Sequence, residues 1–229
     1  LTSVTTKQSE INAKADQITL KVTEVTAKTT QATNAAELAT AMSKGKMLYR
    51  DPTFKAGSYN GTTQYLPTGV TRSYVAVAGC PNPAAKAMKF VATQFYTATD
   101  KRIGGFIFGT KSRANAIFVV RIIANIPTGR NIAVYHNGYG TGGVTKWLTS
   151  TAGTGKWTEY ACKVTCGTSG TFSTLNHFAL TGGAAPTTAA PLTWYVAYAT
   201  VFDVTDVDDT PSREEIKSGM TITCLLYTS

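Results

Sequence analysis

Between residues 6 and 40 the apolar and polar positions follow a seven-residue rhythm, seen in the successive heptads TKQSEIN, AKADQIT, LKVTEVT, AKTTQAT and a fading NAAELAT. Val4, Ile11, Ile18, Val25, Ala32 and Ala39 form one column, at heptad position d. Leu1, Gln8, Ala15, Val22, Thr29 and Ala36 form a weaker one, at position a. A strict period of seven makes an α-helix present a seam that only another helix can cover, so the pattern predicts an N-terminal α-helical coiled-coil stalk over residues 1–45. β-Branched residues in the d column disfavour two strands, so the expected assembly is a homotrimer held through Val4, Ile11, Ile18, Val22 and Val25. Lys7, Lys14, Lys21 and Lys28 recur in the g column, where their aliphatic stems can shield the seam. A second reading competes over 18–23, because Ile18, Leu20 and Val22 alternate with Thr19, Lys21 and Thr23 as they would in a strand. Gly45, between Lys44 and Lys46, supplies the chemistry that stops a helix.

Past Gly45 the periodicity changes. Residues 47–54 read as an edge segment whose pairing Pro52 limits, and 56–63 as a polar loop. Short strands are expected around 73–78, 86–94, 104–110, 116–126, 131–135, 146–149, 156–165, 173–180 and 194–204, separated by turn clusters. Many short strands punctuated by Gly and Pro predict an all-β jelly-roll sandwich over residues 47–205. The turn chemistry of Pro127, Thr128, Gly129 and Arg130 predicts a hairpin between 116–126 and 131–135. Residues 137–143, NGYGTGG, form a glycine-dense loop that lacks the lysine and the strand-to-helix context of a phosphate loop. Residues 182–191, GGAAPTTAAP, form a second such loop.

Composition narrows the class. The 229 residues suffice for one domain plus an extension. Hydrophobic residues make up 43% and charged ones only 15%, with Thr, Gly and Ala plentiful, a profile that suits a β-rich extracellular or virion protein. No apolar run approaches the ~20 residues of a membrane span, so membrane insertion is not expected. The net charge of +9 is concentrated between residues 47 and 205, where 14 Lys and Arg face four acids, Asp51, Asp100, Glu159 and Asp203. Such a field favours polyanions. The basic residues are nevertheless scattered, with no nucleic-acid motif, which points away from nucleic acid. Cys80, Cys162, Cys166 and Cys224 have no disulfide or zinc spacing and are expected to be free thiols, in keeping with assembly in a reducing cytoplasm.

Three stretches carry a family resemblance. Leu48, Asp51, Pro52 and Phe54, followed by GSYNG, resemble the opening N-L-L-x-N-P-x-F-x-x-G strand of jelly-roll carbohydrate-binding modules that bind xylan- and cellulose-like glycans. Gly155, Trp157 and Tyr160 resemble their G-x-W-x-x-Y strand, and 194–204 their closing strand. A heptad stalk feeding such a module is also similar to the layout of tail-tip and receptor-binding proteins of tailed bacteriophages. The resemblance implies a host-attachment protein of the virion tail, with a bacterial surface polysaccharide and other phage tail proteins as partners. It also implies a structural calcium near the first and last strands, where Asp51 and Asp203 are the available oxygen ligands. The final six residues, 224–229, match one frame of an adapter used by sequencing transposases and are read as a library scar, with 206–223 as an acidic linker toward a missing region.

Sugar rings present an apolar face to aromatic side chains and hydroxyls to polar ones. Tyr59, Tyr65, His136, Asn137, Tyr139 and Trp147 lie in or beside the glycine-rich loops and are the expected ligand-binding residues. Trp157 and Trp194, at motif positions, are expected in the core. Glycoside hydrolysis needs two opposed carboxylates, and a serine triad needs a glycine-flanked nucleophile; neither pattern is present, so no enzyme is expected. The alternative to an adhesin is a structural spacer of the tail with no ligand.

Overall fold

The computed structural model describes residues 2–49, 51–55, 62–65, 68–97, 101–111, 113–135, 143–168 and 174–207. One helix, α1 (Thr2–Lys44), runs without a break, so 18–23 is helical and not a strand. The helix accommodates its many threonines by back-bonding. The hydroxyls of Thr19, Thr23, Thr26, Thr29, Thr30 and Thr33 each donate to the carbonyl four residues earlier at 2.9–3.0 Å. The seam residues Val4, Ile11, Ile18, Val22 and Val25 are 58–72% exposed in the single chain. Packing begins at the other end, where Leu38 and Ala41 are buried against Val119, Leu148, Ala161, Phe202 and Val204.

The strands follow in chain order as β1 (Lys46–Met47), β2 (Thr62–Tyr65), β3 (Val70–Ala76), β4 (Lys86–Ala92), β5 (Gly105–Lys111), β6 (Ile117–Asn125), β7 (Asn131–Tyr135), β8 (Gly143–Trp147), β9 (Trp157–Thr165), β10 (Thr174–Thr181) and β11 (Leu192–Asp203). They form two antiparallel sheets. The larger has the order β3, β4, β11, β6, β9, β8, with β1 also beside β11, and the smaller has the order β2, β5, β10, β7. This is a jelly-roll β-sandwich, preceded by the helix. Its core lies between the sheets, around Phe54, Phe90, Phe118, Ile122, Tyr160 and Trp194. Trp194 is fully buried. It stacks on Phe90 with ring centroids 4.6 Å apart and donates its indole N–H to the carbonyl of Ile103 at 3.3 Å.

Two expectations need correction. The expected hairpin does not form: β6 pairs with β9 on one side and β11 on the other, while β7 joins β10 in the second sheet. With both edges of β6 occupied, the turn at Pro127–Arg130 carries the chain across the sandwich, with the Arg130 amide bonded to the Pro127 carbonyl at 3.3 Å. Thr62 and Thr63, at the end of the stretch expected to be a loop, belong to β2, which pairs with β5, whereas 56–61 lie outside the described residues. Of the expected linker, Asp206 and Val207 are described; 208–223 and 224–229 lie outside the described residues.

Candidate functional site

Strand alternation divides the large sheet into an inner and an outer face. On β6, Phe118, Val120, Ile122 and Ala124 belong to the inter-sheet core, whereas Val119 belongs to the cluster beneath α1. Arg121, Ile123 and Asn125 share the outer face with Val119. Directly opposed residues share a face, so the register places Trp157, Asn125, Tyr195 and Lys89 in one outer row across four strands, about 14 Å wide. Glu159, Ile123 and Tyr198 form the next row. The end of α1 occupies the outer face at Val119, Ala161 and Phe202. Farther along the strands, Trp157, Tyr195 and Tyr198 stay half-buried.

A bulge makes the aromatic pattern possible. The β11 register shifts between Val196 and Tyr198, so Tyr195 and Tyr198, three positions apart, both reach the outer face, and Ala197 is buried. Trp157 and Tyr195 flank Asn125 with ring centroids 6.4 Å apart and planes inclined by 53°.

The second row is organised by Arg121. Its Nε donates to Glu159 Oε1, and its guanidinium carbon lies 4.7 Å from the centroid of the Tyr198 ring, a cation–π contact. Arg121 is 16% exposed at the side chain and Glu159 38%, so the carboxylate stays reachable from solvent. Beside Tyr198 and Ile123 a cleft of about 230 Å³ opens, walled by Thr53, Pro81, Asn82, Pro83 and Ala197. Asn82 fixes that wall. Its Nδ2 donates to the carbonyls of Thr53 at 2.7 Å and Ala197 at 3.3 Å, and its Oδ1 accepts the Ala84 amide at 2.9 Å. The face therefore offers flat aromatic surface, a carboxylate and an amide on rigid strands. Burial pushes the thiols of Cys80, Cys162 and Cys166 upward, and all three are free.

The sequence-predicted residues fall differently. Tyr59, His136, Asn137 and Tyr139 lie outside the described residues. Tyr65 ends β2, opposite Gly105 in the smaller sheet. Trp147 pairs with Cys162 and packs against the inter-sheet core. Trp157, expected in the core, stands on the outer face instead. The parity of its strand carries that information: Tyr160, Cys162 and Val164 are the core set, and Trp157 shares the opposite phase with Glu159.

Asp51 and Asp203, the oxygen ligands expected for a calcium, are each engaged separately. Asp203 accepts Arg113 Nη1 at 2.6 Å and the Thr205 hydroxyl and amide at 2.6 and 3.1 Å. Burial alone would raise its pKa; Arg113 and Thr205 hold it below the usual carboxylate range. Asp51 Oδ1 caps its own turn, accepting the Lys55 amide at 2.8 Å. The register sets them apart, since Asp203 faces Lys46 whereas Pro52 bonds at Ala199, four residues and ~13 Å along β11. Among the described residues no group of three or more His, Cys, Asp or Glu is placed to hold a metal.

No protein-family model matches the chain, and no curated protein matches it either. Solved structures do show similarity. The N-terminal CBM22-1–CBM22-2 tandem domain of Paenibacillus barcinonensis Xyn10C aligns at 10% identity and a TM-score of 0.44, covering 70% of this chain and 49% of its own. A xylan-binding domain from CBM 22 aligns at 11% identity and a TM-score of 0.40, covering 72% and 99%. The enzymatically active domain of bacteriophage CBA120 tailspike protein 4 aligns at 9% identity and a TM-score of 0.38, covering 67% of this chain and 21% of that one.

Proposed function

We propose that the sandwich is a non-catalytic saccharide-binding head that takes a bacterial surface glycan across the outer row of Trp157, Asn125 and Tyr195. The observation that carries the reading is that row: two aromatic rings flanking an amide on adjacent rigid strands. Aromatic rings match the apolar faces of sugar rings. Asn125, Glu159 and Arg121 supply both donors and acceptors for hydroxyls. Among the described residues Glu159 and Asp203 are each tied to an arginine rather than opposed across a cleft, which favours binding over hydrolysis. A helical stalk ahead of the head suits an adhesin of a bacteriophage tail, assembled in the host cytoplasm, in which gathered copies raise a weak single-site affinity.

The test is a glycan-array and whole-cell screen of the chain beside Trp157→Ala. Binding by the parent and loss in the variant are expected. Equal binding by both removes this face from the site. Absence of binding to every saccharide and cell favours the ligand-free spacer.

A further inference from the structure

The helix presents two surfaces of different kind, and their phases differ by half a turn. Asn34, Glu37, Leu38 and Ala41 face the sandwich; Leu38 and Ala41 are buried there, and Glu37 Oε1 accepts Lys146 Nζ at 2.6 Å while Lys163 Nζ lies 3.4 Å from Oε2. In the heptad these are positions f, b, c and f. At 100° per residue, their mean direction lies roughly 180° from the a and d columns. The head is thus carried on the back of the helix. The seam stays open past the docking point, since Ala32, Ala36 and Ala39 are all exposed.

We infer that α1 joins two further copies of this chain in a parallel three-helix bundle about 65 Å long, with the heads ringed outside it. Three observations select this occupant. The seven-residue period fits a supercoiled helix and nothing flat. Val4, Ile11, Ile18 and Val25 are β-branched at d, which disfavours two strands. Charge then sets the direction. Antiparallel neighbours would bring g columns together and align Lys7, Lys14, Lys21 and Lys28 against their own kind. Parallel neighbours set each lysine against the neutral e column of Asn12, Thr19, Thr26 and Thr33. Heads docked on the seam side would block this bundle; heads docked opposite it do not. The inference stands whether or not the head binds a saccharide.

Light scattering of the full chain, without glycan, tests it. The expected mass is three times that of one chain. Ile18→Lys, on the seam, is expected to return the mass to one chain, with the tryptophan fluorescence of the head, from Trp147, Trp157 and Trp194, unchanged. Leu20→Lys changes a residue that is 70% exposed but at position f, and is expected to leave the threefold mass intact. Val4→Cys is expected to cross-link on oxidation beyond the background of the parent, because parallel helices align their N-termini whereas antiparallel ones part them by about 65 Å. A single-chain mass for the parent overturns the bundle, a twofold mass overturns its number, and absence of the Val4→Cys cross-link overturns its direction. Loss of the threefold mass in Leu20→Lys as well as Ile18→Lys overturns the seam.

Discussion

Trp157 and Tyr195 stand on strands separated by one neighbour, with rings 6.4 Å apart on the outer face of the large sheet. Neither is part of the inter-sheet core. Trp157→Ala and Tyr195→Ala are each expected to weaken saccharide binding at least tenfold, about 1.4 kcal/mol. The melting temperature should move little, because both rings are half-buried on a surface already served by the sheet below. Calorimetric titration with the best array ligand and a thermal melt separate the two effects. Unchanged affinity in both variants, or a large stability loss in either, would show these rings to be packing residues.

Much of the fold was legible because its signals are local. A seven-residue repeat predicts a helix over 1–45, and α1 runs Thr2–Lys44. Turn clusters at Pro127 and Gly182 mark strand ends that the pairing respects. Partnership was less legible. Pro127 to Arg130 has hairpin chemistry, yet which sheet receives β7 is decided by β9 and β11 occupying both edges of β6. The aromatic face was hidden for a similar reason. Tyr195 and Tyr198 have opposite parity, and only the bulge at Ala197 returns them to one side. Trp157 was within reach of parity alone, but its motif position suggested core.

Trp194 provides the contrasting case, an aromatic residue whose role is stability. It fills the inter-sheet space against Phe90 and satisfies its N–H at Ile103. Trp194→Ala should cost about 3–5 kcal/mol through lost burial and the cavity left behind. Trp194→Phe keeps most of the volume and should cost less. Urea denaturation followed by circular dichroism measures both, and a loss under about 1 kcal/mol for the alanine variant would mean the core repacks.

Gly45 sits where α1 meets the sheet. A Cβ there would lie 2.4 Å from the carbonyl oxygen of Ala41, 3.0 Å from Val204 Cγ1 and 3.2 Å from Phe202 Cβ. The first neighbour is backbone and cannot swing aside. Its amide also bonds the Ala41 carbonyl at 3.0 Å, closing the helix. Gly45→Ala is therefore expected to cost about 1–3 kcal/mol, with faster amide exchange in the last turns of α1 before the core strands. Wild-type exchange there would mean the junction yields without strain.

Glu37 links the same junction to pH. Its burial alone would raise the pKa, but the bond to Lys146 and the charges of Lys163 and Lys146 bring it below the usual carboxylate range. A lowered folded-state pKa means that the docked helix binds protons less readily than the free one. The stabilisation is therefore complete above the ordinary carboxylate pKa, about 4.3 for glutamate, and is lost as pH falls through the lowered value. Asp203 is lowered too, through Arg113 and Thr205, so the head loses stability in the same acidic window. Glu37→Gln separates the two contributions. Near neutral pH it should loosen the α1 junction, seen as faster amide exchange over 38–44, while leaving the strands protected. On acidification its junction should show a flatter response than the parent, because the group that titrates there has gone. A junction with the same acid response in parent and variant would place the pH dependence at Asp203 and Arg113 instead.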